Sequence, residues 1–345
     1  MKLTVSILIA AYNEEKVIAK RIENISKLNY DFNNLEVIVG SDGSSDKTND
    51  ILLKLSEKYH WLKIKIFQSR RGKASVLNDL VKESTYPVLV FTDANSIFDE
   101  NALNELLSLY KNSETGGVCG RLVLDEPITG FNKSNREKFY WEYETYLKKY
   151  EGKLGILIGA NGGIYSIRKS LFREIPSGKS VTDDLFITLS VLKQNYKFKY
   201  AFDAVAREEV SRELKSEFKR KIRFASTNFQ TFVLFKELLF SKNFLLSFAF
   251  WSHKVLRWFM PFVSITGFVL NYLLLDHLDI YFNLFVFQVS VYTLSIIGYI
   301  FSLVKIRIPL VTLLFFFNLT NIALIIGFFD FIRGKQKGYW DSTPR

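Results

Sequence analysis

The residues that could carry chemistry in this chain are acids placed where apolar runs end. Asp93 comes directly after the apolar residues 88–91 and Thr92, and Asn95 follows two positions later. Such a run is typical of a strand that is buried on both faces of a parallel sheet. Ligands bind beyond the carboxyl ends of these strands, where a carboxylate can hold a metal ion and a diphosphate. The alternative is an ordinary strand whose aspartate only begins a turn.

Four more acids stand at the starts of predicted helices or just after a strand. Asp42 can accept a hydrogen bond from a nucleotide base or cap the next helix, whereas the position of Asp46 favours capping. Asp183 and Asp184 follow Thr182 in a first helical turn. Acids are common there because they compensate the helix dipole, so a structural role is the alternative to a chemical one.

Two clusters of basic residues indicate anionic partners. Residues 70–73 read Arg-Arg-Gly-Lys at a predicted helix start, where a bound anion would explain cations that oppose the helix dipole. The alternative is a solvated run of charge. Residues 219–223 add four cations, and the formal charge of the chain is +11. This charge favours a nucleotide or an acidic membrane leaflet, and we expect no nucleic-acid partner because zinc-finger spacing and Arg-rich tracts are missing.

Apolar runs, polar turns and amphipathic stretches alternate along the first half of the chain. The predicted strands cover residues 5–9, 35–39, 62–67 and 88–92, and the predicted helices cover residues 16–27, 47–58, 73 onward and 101–110. This alternation predicts a doubly wound α/β fold with a mostly parallel sheet and helices on both faces. The glycine fingerprints of dinucleotide-binding and P-loop proteins are missing from the sequence, so a nucleotide must bind in another way.

A loop of small residues links two further predicted helices. The first helix covers residues 136–151, and the loop at residues 159–163 reads Gly-Ala-Asn-Gly-Gly. Small side chains let another backbone or a ligand approach closely. The second helix opens near Val181 and runs to about Gln194.

The last third of the chain is strongly apolar. Uncharged segments cover residues 258–275, 280–304 and 308–329, and the first two satisfy the length of a membrane-spanning helix. A third span would put the basic C-terminal residues outside, so a re-entrant or interfacial course is the alternative. Residues 229–250 are apolar but interrupted by charges, which predicts amphipathic helices at the membrane interface.

Cysteine usage and the N-terminal residues indicate a compartment. The single Cys119 excludes an internal disulfide and fits a reducing environment. Residues 1–11 lack the basic region of a signal peptide and predict a buried strand instead. We therefore expect a multi-pass protein of the plasma or inner membrane whose catalytic part is cytosolic.

Seven short motifs follow one another along residues 5–223. They are Ala10-Ala11-Tyr12-Asn13-Glu14, Ser41-Asp42-Gly43-Ser44, Gly72-Lys73-Ala74, Thr92-Asp93-Ala94-Asn95, Asn161-Gly162-Gly163, Thr182-Asp183-Asp184 and Arg223-Phe224. In this order the motifs resemble glycosyltransferase family 2, the inverting enzymes of GT-A fold, and most closely its membrane-bound members related to polysaccharide synthases. The resemblance implies a GT-A domain with a Rossmann-like, mostly parallel sheet.

The resemblance also implies a role for each matching residue. Asp42 would recognise the nucleotide base, usually uracil, and Asp93 with Asn95 would hold Mg²⁺ or Mn²⁺ against the donor diphosphate. Asp184, with Asp183 beside it, would be the general base that takes the proton from the acceptor hydroxyl. The other implied contacts are to the nucleotide for Tyr12, Glu14, Lys73 and Arg223, and to the acceptor for Asn161, Gly162 and Phe224.

The chain departs from the family pattern at four positions. One is Ser41, which replaces an Asp common just before Asp42, and we expect it to matter little. Asn95 replaces the second acid of the metal-binding D-x-D motif, which puts a second charged metal ligand in doubt. Arg220 and Phe224 stand where processive synthases have Gln and Trp. These two replacements argue against processive synthesis.

The resemblance implies a membrane-bound transferase that moves a sugar from a nucleotide sugar, such as a UDP-sugar, to a saccharide or lipid-linked acceptor. Two alternatives remain open: a polyprenyl-phosphate glycosyltransferase, and an inactive sugar-binding or export-scaffold subunit. The predicted organisation is a GT-A domain at residues 1–225, interfacial helices at 226–254, a membrane region at 255–332 and a basic cytosolic tail at 333–345.

Overall fold

The computed structural model describes residues 3–125, 135–209, 214–304, 306 and 308–335, with the backbone alone for residues 135–141, 214 and 215. The described residues form two compact units. One comprises residues 3–209 and 234–249, and the other comprises residues 214–233 and 250–335. The basic tail predicted at residues 333–345 lies outside the described residues from residue 336 onward.

The strands of the first unit form one mixed sheet. In the described residues they are β1 (Val5–Ala11), β2 (Leu35–Asp42), β3 (Leu62–Phe67), β4 (Val88–Asp93), β5 (Ile97–Phe98), β6 (Thr115–Asp125), β7 (Tyr165–Arg168) and β8 (Lys197–Glu209), in the order β3-β2-β1-β4-β7-β6-β8-β5. β1 pairs in parallel with β2 and β4, and β2 pairs in parallel with β3. β7 is antiparallel to both β4 and β6, so the predicted parallel arrangement holds for β1–β4 and gives way to a mixed one beyond them.

The strand register brings three carboxyl ends to one edge of the sheet. Ala10 of β1 lies opposite Asp93 of β4, and Ala11 lies opposite Ser41 of β2. Asp42 is the last residue of β2, and every residue of that strand is buried, as expected for a strand covered on both faces. The predicted acids Asp42 and Asp93 thus lie at the ends of β2 and β4, the two strands that flank β1, where open α/β sheets bind ligands.

Helices cover this sheet at the predicted places. They are α1 (Ile18–Ile25), α2 (Thr48–Lys58), α3 (Lys73–Glu83), α4 (Ala102–Ser108), α5 (Asn135–Leu154) and α6 (Asp183–Lys193). Apolar side chains of α1, α4 and the central strands form one core cluster. Gly72 precedes α3 with a φ of 88°, a left-handed conformation that favours glycine, and so allows the abrupt start of this helix.

The remaining helices are α7 (Leu214–Phe235), α8 (Phe244–Ala249), a π-helical turn at Phe250–Val255, α9 (Leu256–Leu273), α10 (Asp279–Leu303) and α11 (Pro309–Ile332). The boundary that we predicted at residue 225 falls inside α7. Phe240, Phe244 and Phe248 are exposed in the segment that we predicted to lie at a membrane interface. That location remains a prediction.

Two helices in the described residues, α10 and α11, are long and apolar enough to cross a membrane. The clearest candidates are therefore the second and third apolar segments. The first segment forms the shorter α9, which carries Arg257 in its first turn. The third segment, for which a re-entrant or interfacial course is the alternative, is one helix of 24 residues, α11.

Candidate active site

Lys73 lies between two acids at the carboxyl edge of the sheet. Its Nζ is 2.8 Å from Asp93 Oδ1 and 2.8 Å from Asp183 Oδ2. Because Lys73 and Asp183 are the first residues of α3 and α6, two helix N-termini and the end of β4 meet at this ion pair. Burial lowers the pKa of Lys73, but attraction by Asp183 and Asp93 outweighs it, so the net pKa is raised and the side chain stays charged.

Gly162 lies between the carboxylates of Asp93 and Asp184. A Cβ atom at this position would lie 3.3 Å from Asp93 Oδ2 and 3.5 Å from Asp184 Oδ2. Both oxygens therefore face the same small space, which the absence of a side chain at residue 162 keeps open. A ligand held by Asp93 and a hydroxyl group held by Asp184 would meet there.

Asp184 has the properties of a base that works near neutral pH. Burial raises its pKa to about 6, and the negative charge of Asp183 adds to the rise, whereas Lys73 and Lys148 oppose it. The backbone N–H of Leu185 donates to Asp184 Oδ1 at 2.6 Å, while Oδ2 faces the space over the glycine. A carboxylate of this pKa is a stronger base than an ordinary aspartate and is still mostly ionised at pH 7.

The raised pKa of Asp184 predicts a pH dependence of turnover. We expect kcat to fall about tenfold for each pH unit below about 6, because only the ionised carboxylate accepts a proton.

The folding stability should respond to pH in the opposite sense. A folded-state pKa above the unfolded value favours folding at low pH, and this contribution is lost as the pH rises through about 6. The pH profile of kcat would check the prediction on turnover, and a kcat that stays flat on both sides of pH 6 would contradict it. Thermal unfolding measured across the same pH range would check the prediction on stability.

Lys148 of α5 supports the loop of small residues. Its Nζ donates a hydrogen bond to Asn161 Oδ1, and Asn161 Nδ2 donates to the Gly120 carbonyl at 2.8 Å. The backbone N–H of Asn161 donates to Cys119 Sγ at 3.2 Å. Asn161 is buried, and the hydrogen bonds of its Oδ1 and Nδ2 atoms hold the loop in place. Its predicted contact with the acceptor remains a prediction.

Asp42 fixes the segment that precedes α3. Its two carboxylate oxygens accept hydrogen bonds from the backbone N–H groups of Arg71 at 2.7 Å and Gly72 at 2.8 Å. These contacts position Lys73, the next residue, for its ion pairs. Because a carboxylate can accept more than two hydrogen bonds, the predicted contact of Asp42 with a base remains compatible with this geometry and remains a prediction.

The turn that contains Tyr12 and Glu14 is held against the turn after β2. The Arg70 guanidinium stacks 3.8 Å from the centroid of the Tyr12 ring. The backbone N–H of Glu14 donates to Thr48 Oγ1 at 2.9 Å. Asp46 accepts a hydrogen bond from the backbone N–H of Thr48 at 3.0 Å, so its predicted role at the start of α2 is confirmed.

Asp93 and Asn95 could supply oxygen ligands to a divalent cation. Asp93 Oδ1 is paired with Lys73, and Oδ2 faces the open space over Gly162. In the part of the chain that the structure describes, no three His, Cys, Asp or Glu side chains form a metal site of their own. One carboxylate and one amide fit a hard cation that a diphosphate helps to hold, as Mg²⁺ is usually bound.

A buried cation stands behind Asp93 and was not identified from the sequence. Arg21 is fully buried and donates to Thr92 Oγ1 at 3.1 Å, while that hydroxyl donates to the Gly163 carbonyl at 2.7 Å. Burial lowers the pKa of Arg21 to about 9, against the attraction of Glu208 and Asp93. The network ties the end of β4, and with it Asp93, to the glycine loop.

Arg223 and Phe224 lie on α7, in the second compact unit. The Arg223 guanidinium is 5.2 Å from the centroid of the Phe224 ring, and that ring is exposed. Their predicted contacts with the diphosphate and the acceptor remain predictions.

Replacing Gly162 by Ala should block the space between the two carboxylates. The added methyl group would lie 3.3 Å from Asp93 Oδ2, closer than ordinary van der Waals contact, and 3.5 Å from Asp184 Oδ2. We expect kcat to fall about a hundredfold, because a displacement of about 1 Å at a reacting centre costs that much. Steady-state kinetics would measure it.

Gly178→Ala is the matched control, since a Cβ atom there would meet nothing within 4 Å. Both variants should have melting temperatures close to that of the unmodified protein. Unchanged turnover in Gly162→Ala would show that the reaction does not use this space.

Comparison with known proteins shows which proteins the chain resembles. Residues 6–175 match the family model described as Glycosyl transferase family 2. The probable glycosyltransferase YdaM of Bacillus subtilis is 30% identical over 65% of this chain, and the chain spans 55% of that relative. The poly-beta-1,6-N-acetyl-D-glucosamine synthase of Staphylococcus epidermidis is 23% identical over 99% of this chain and 87% of the relative.

A solved structure shares the fold. It is the mannosyltransferase PcManGT from Pyrobaculum calidifontis in complex with GDP-Man and Mn²⁺, which is 19% identical to this chain. The alignment covers 97% of this chain and 89% of the other, with a TM-score of 0.70. The predicted GT-A fold is thereby confirmed.

Proposed function

The chain belongs to glycosyltransferase family 2, and from this premise we propose that it is a membrane-bound inverting enzyme. It would move a sugar from a nucleotide sugar to a hydroxyl group of a saccharide or glycolipid. The observation that carries this proposal is the pair of carboxylates, Asp93 and Asp184, that face one space over Gly162. The named product of the staphylococcal relative supports a polysaccharide or glycoconjugate as the product here.

The proposed reaction is a single displacement at the anomeric carbon. Asp184 Oδ2 takes the proton of the acceptor hydroxyl as its oxygen forms the new glycosidic bond, and the nucleoside diphosphate leaves with the electron pair of the old one. An α-linked donor therefore gives a β-linked product. Lys73 keeps its charge next to Asp93 and can stabilise negative charge that develops on the leaving diphosphate.

We propose that Asp93 and Asn95 hold Mg²⁺ or Mn²⁺ together with the donor diphosphate. When bound, such a cation neutralises charge on the leaving group. The Oδ2 atom of Asp93, which faces the space over Gly162, and the neutral amide of Asn95 suit a site that the substrate completes. The structure of PcManGT, which shares the fold, was solved with GDP-Man and Mn²⁺, and this supports a divalent cation beside a nucleotide sugar.

We propose that the donor carries uracil, because the motif around Asp42 resembles the family motif that usually recognises this base. α10 and α11 supply the proposed membrane anchor, and the catalytic part would work on the cytosolic side. These assignments leave the transferred sugar to experiment.

The decisive experiment screens the full-length protein in detergent against a panel of UDP- and GDP-sugars, with Mn²⁺, with Mg²⁺ and with EDTA. We expect one UDP-sugar to be hydrolysed or transferred in the presence of a metal and not in EDTA. Transfer from a GDP-sugar alone would refute the assignment of uridine. Transfer that persists in EDTA would refute the metal site.

A further inference from the structure

The outward face of α5 carries aromatic side chains instead of the usual charges. Tyr143, Tyr146 and Tyr150 are 49%, 58% and 48% exposed, at helical spacing that places them on one side. Leu154 continues the row, and Lys149 and Lys153 flank it. We call these six residues the tyrosine face. Glu142 is the single exposed acid among residues 142–154.

The inward face of the same helix carries charged side chains. A helix at a water-exposed surface usually has apolar residues on its inward face and charged residues on its outward face. Glu144, Lys148 and Glu151 are buried. Lys148 donates to Asn161 of the active-site loop, and Glu151 accepts from the backbone N–H of Ile158 at 3.0 Å. The charged residues are therefore used inside the protein, and burial against the sheet does not explain the tyrosines.

The aromatic and basic character extends beyond the helix. Tyr146 and Tyr150 contact each other, with ring centroids 4.5 Å apart. Phe202 of β8 is 37% exposed, and its ring lies 4.2 Å from the Arg121 guanidinium and 5.2 Å from Lys149 Nζ. The surface thus combines aromatic rings with neighbouring cations.

We propose that the tyrosine face docks onto an anionic lipid surface. Tyrosine rings settle at the boundary between acyl chains and headgroups, and lysines reach the anionic headgroups from long flexible stems. The proposal rests on the membrane location given under the proposed function. It adds a contact made by the catalytic unit itself, on the helix that also supports the active-site loop.

A lipid surface accounts for this face better than a saccharide does. Aromatic rings suit either partner, but a neutral saccharide gives no reason for Leu154 or for two exposed lysines beside one acid. Anionic lipids strengthen binding about fivefold for each nearby Lys or Arg. Binding of a saccharide is therefore kept as the competing outcome of the test.

The test uses fluorescent probes on single introduced cysteines. Cys119 is the only native cysteine, it is buried, and burial raises its thiol pKa to about 11, so the unmodified protein serves as the unlabelled control. Tyr146→Cys and Tyr150→Cys would carry a polarity-sensitive probe in bilayers of phosphatidylcholine with phosphatidylglycerol. We expect headgroup-labelled quencher lipids to quench both probes several-fold more than a probe at Leu53→Cys, an exposed position on α2.

Paired lysine variants test the role of charge. Lys149→Gln with Lys153→Gln should weaken docking about fivefold per lysine in the anionic bilayer. Lys54→Gln with Lys58→Gln on α2 is the matched control, since both are exposed, have the same spacing and remove the same charge. Equal quenching in both pairs would overturn the electrostatic part of the proposal.

A probe at Phe287→Cys on α10, tested with a quencher carried on the lipid acyl chains, separates the two proposals. If it is quenched while the α5 probes match Leu53→Cys, the protein is in the membrane and the docking of the tyrosine face is refuted. If none of these probes is quenched, the membrane location itself fails. If saccharide fragments, and not lipids, change the α5 emission, the face binds the acceptor and the lipid proposal is wrong.

Discussion

Replacing Asp184 by Asn is expected to lower kcat by about 10²- to 10⁴-fold, the usual contribution of a positioned general base. The amide has nearly the shape of the carboxylate, so the backbone N–H of Leu185 keeps its acceptor. What it loses is the ability to take the proton of the acceptor hydroxyl. Single-turnover transfer with a saturating donor would measure the effect directly.

The same substitution should leave two other properties unharmed. The affinity for the donor should change little, because Asp184 is assigned to the acceptor. The melting temperature at neutral pH should be equal or higher, since the raised pKa shows that the folded protein holds the ionised group unfavourably. Turnover close to that of the unmodified protein would refute the hydroxyl-acceptor mechanism and favour a phosphate acceptor, which needs little base catalysis.

Local patterns were sufficient to predict the first half of the fold. β1, β2 and β4 are mostly apolar, buried runs, and the edge strand β3 alternates apolar and basic residues, so each can be recognised from its own residues. β7 could not be recognised in this way. It has four residues, and it forms only because β4 and β6, which are remote in sequence, both pair with it in antiparallel fashion.

The residues of the site were predicted by type, but their partners were not. The end of a predicted strand marks Asp93 as a site residue. Its ion pair with Lys73, however, depends on how α3 packs against the sheet. Lys148 was missed because a lysine on an amphipathic helix is usually exposed. The signal that could have revealed it is its spacing from Glu144 and Glu151, which puts three charges on the side opposite the tyrosines.

Replacing Asp93 by Ala is expected to remove the metal dependence of donor binding and to lower kcat/KM by about 10³-fold. The substitution removes the only carboxylate assigned to the cation, and a metal contributes several kcal/mol of charge stabilisation in such reactions. Asn95 supplies a neutral oxygen, which should be too weak a ligand alone. Calorimetric titration of the donor in Mn²⁺ and in EDTA would show whether the two conditions still differ.

The ion-pair network predicts that this variant remains folded. Lys73 loses one partner but keeps Asp183 at 2.8 Å, so its charge is still compensated. Asp203→Ala on β8 is the matched control, since it removes an exposed aspartate from the same unit. In the control, EDTA should weaken donor binding as it does in the unmodified protein. If Asp93→Ala also kept metal-dependent binding, the cation would have to lie elsewhere, and the ion pair with Lys73 would be the main role of this carboxylate.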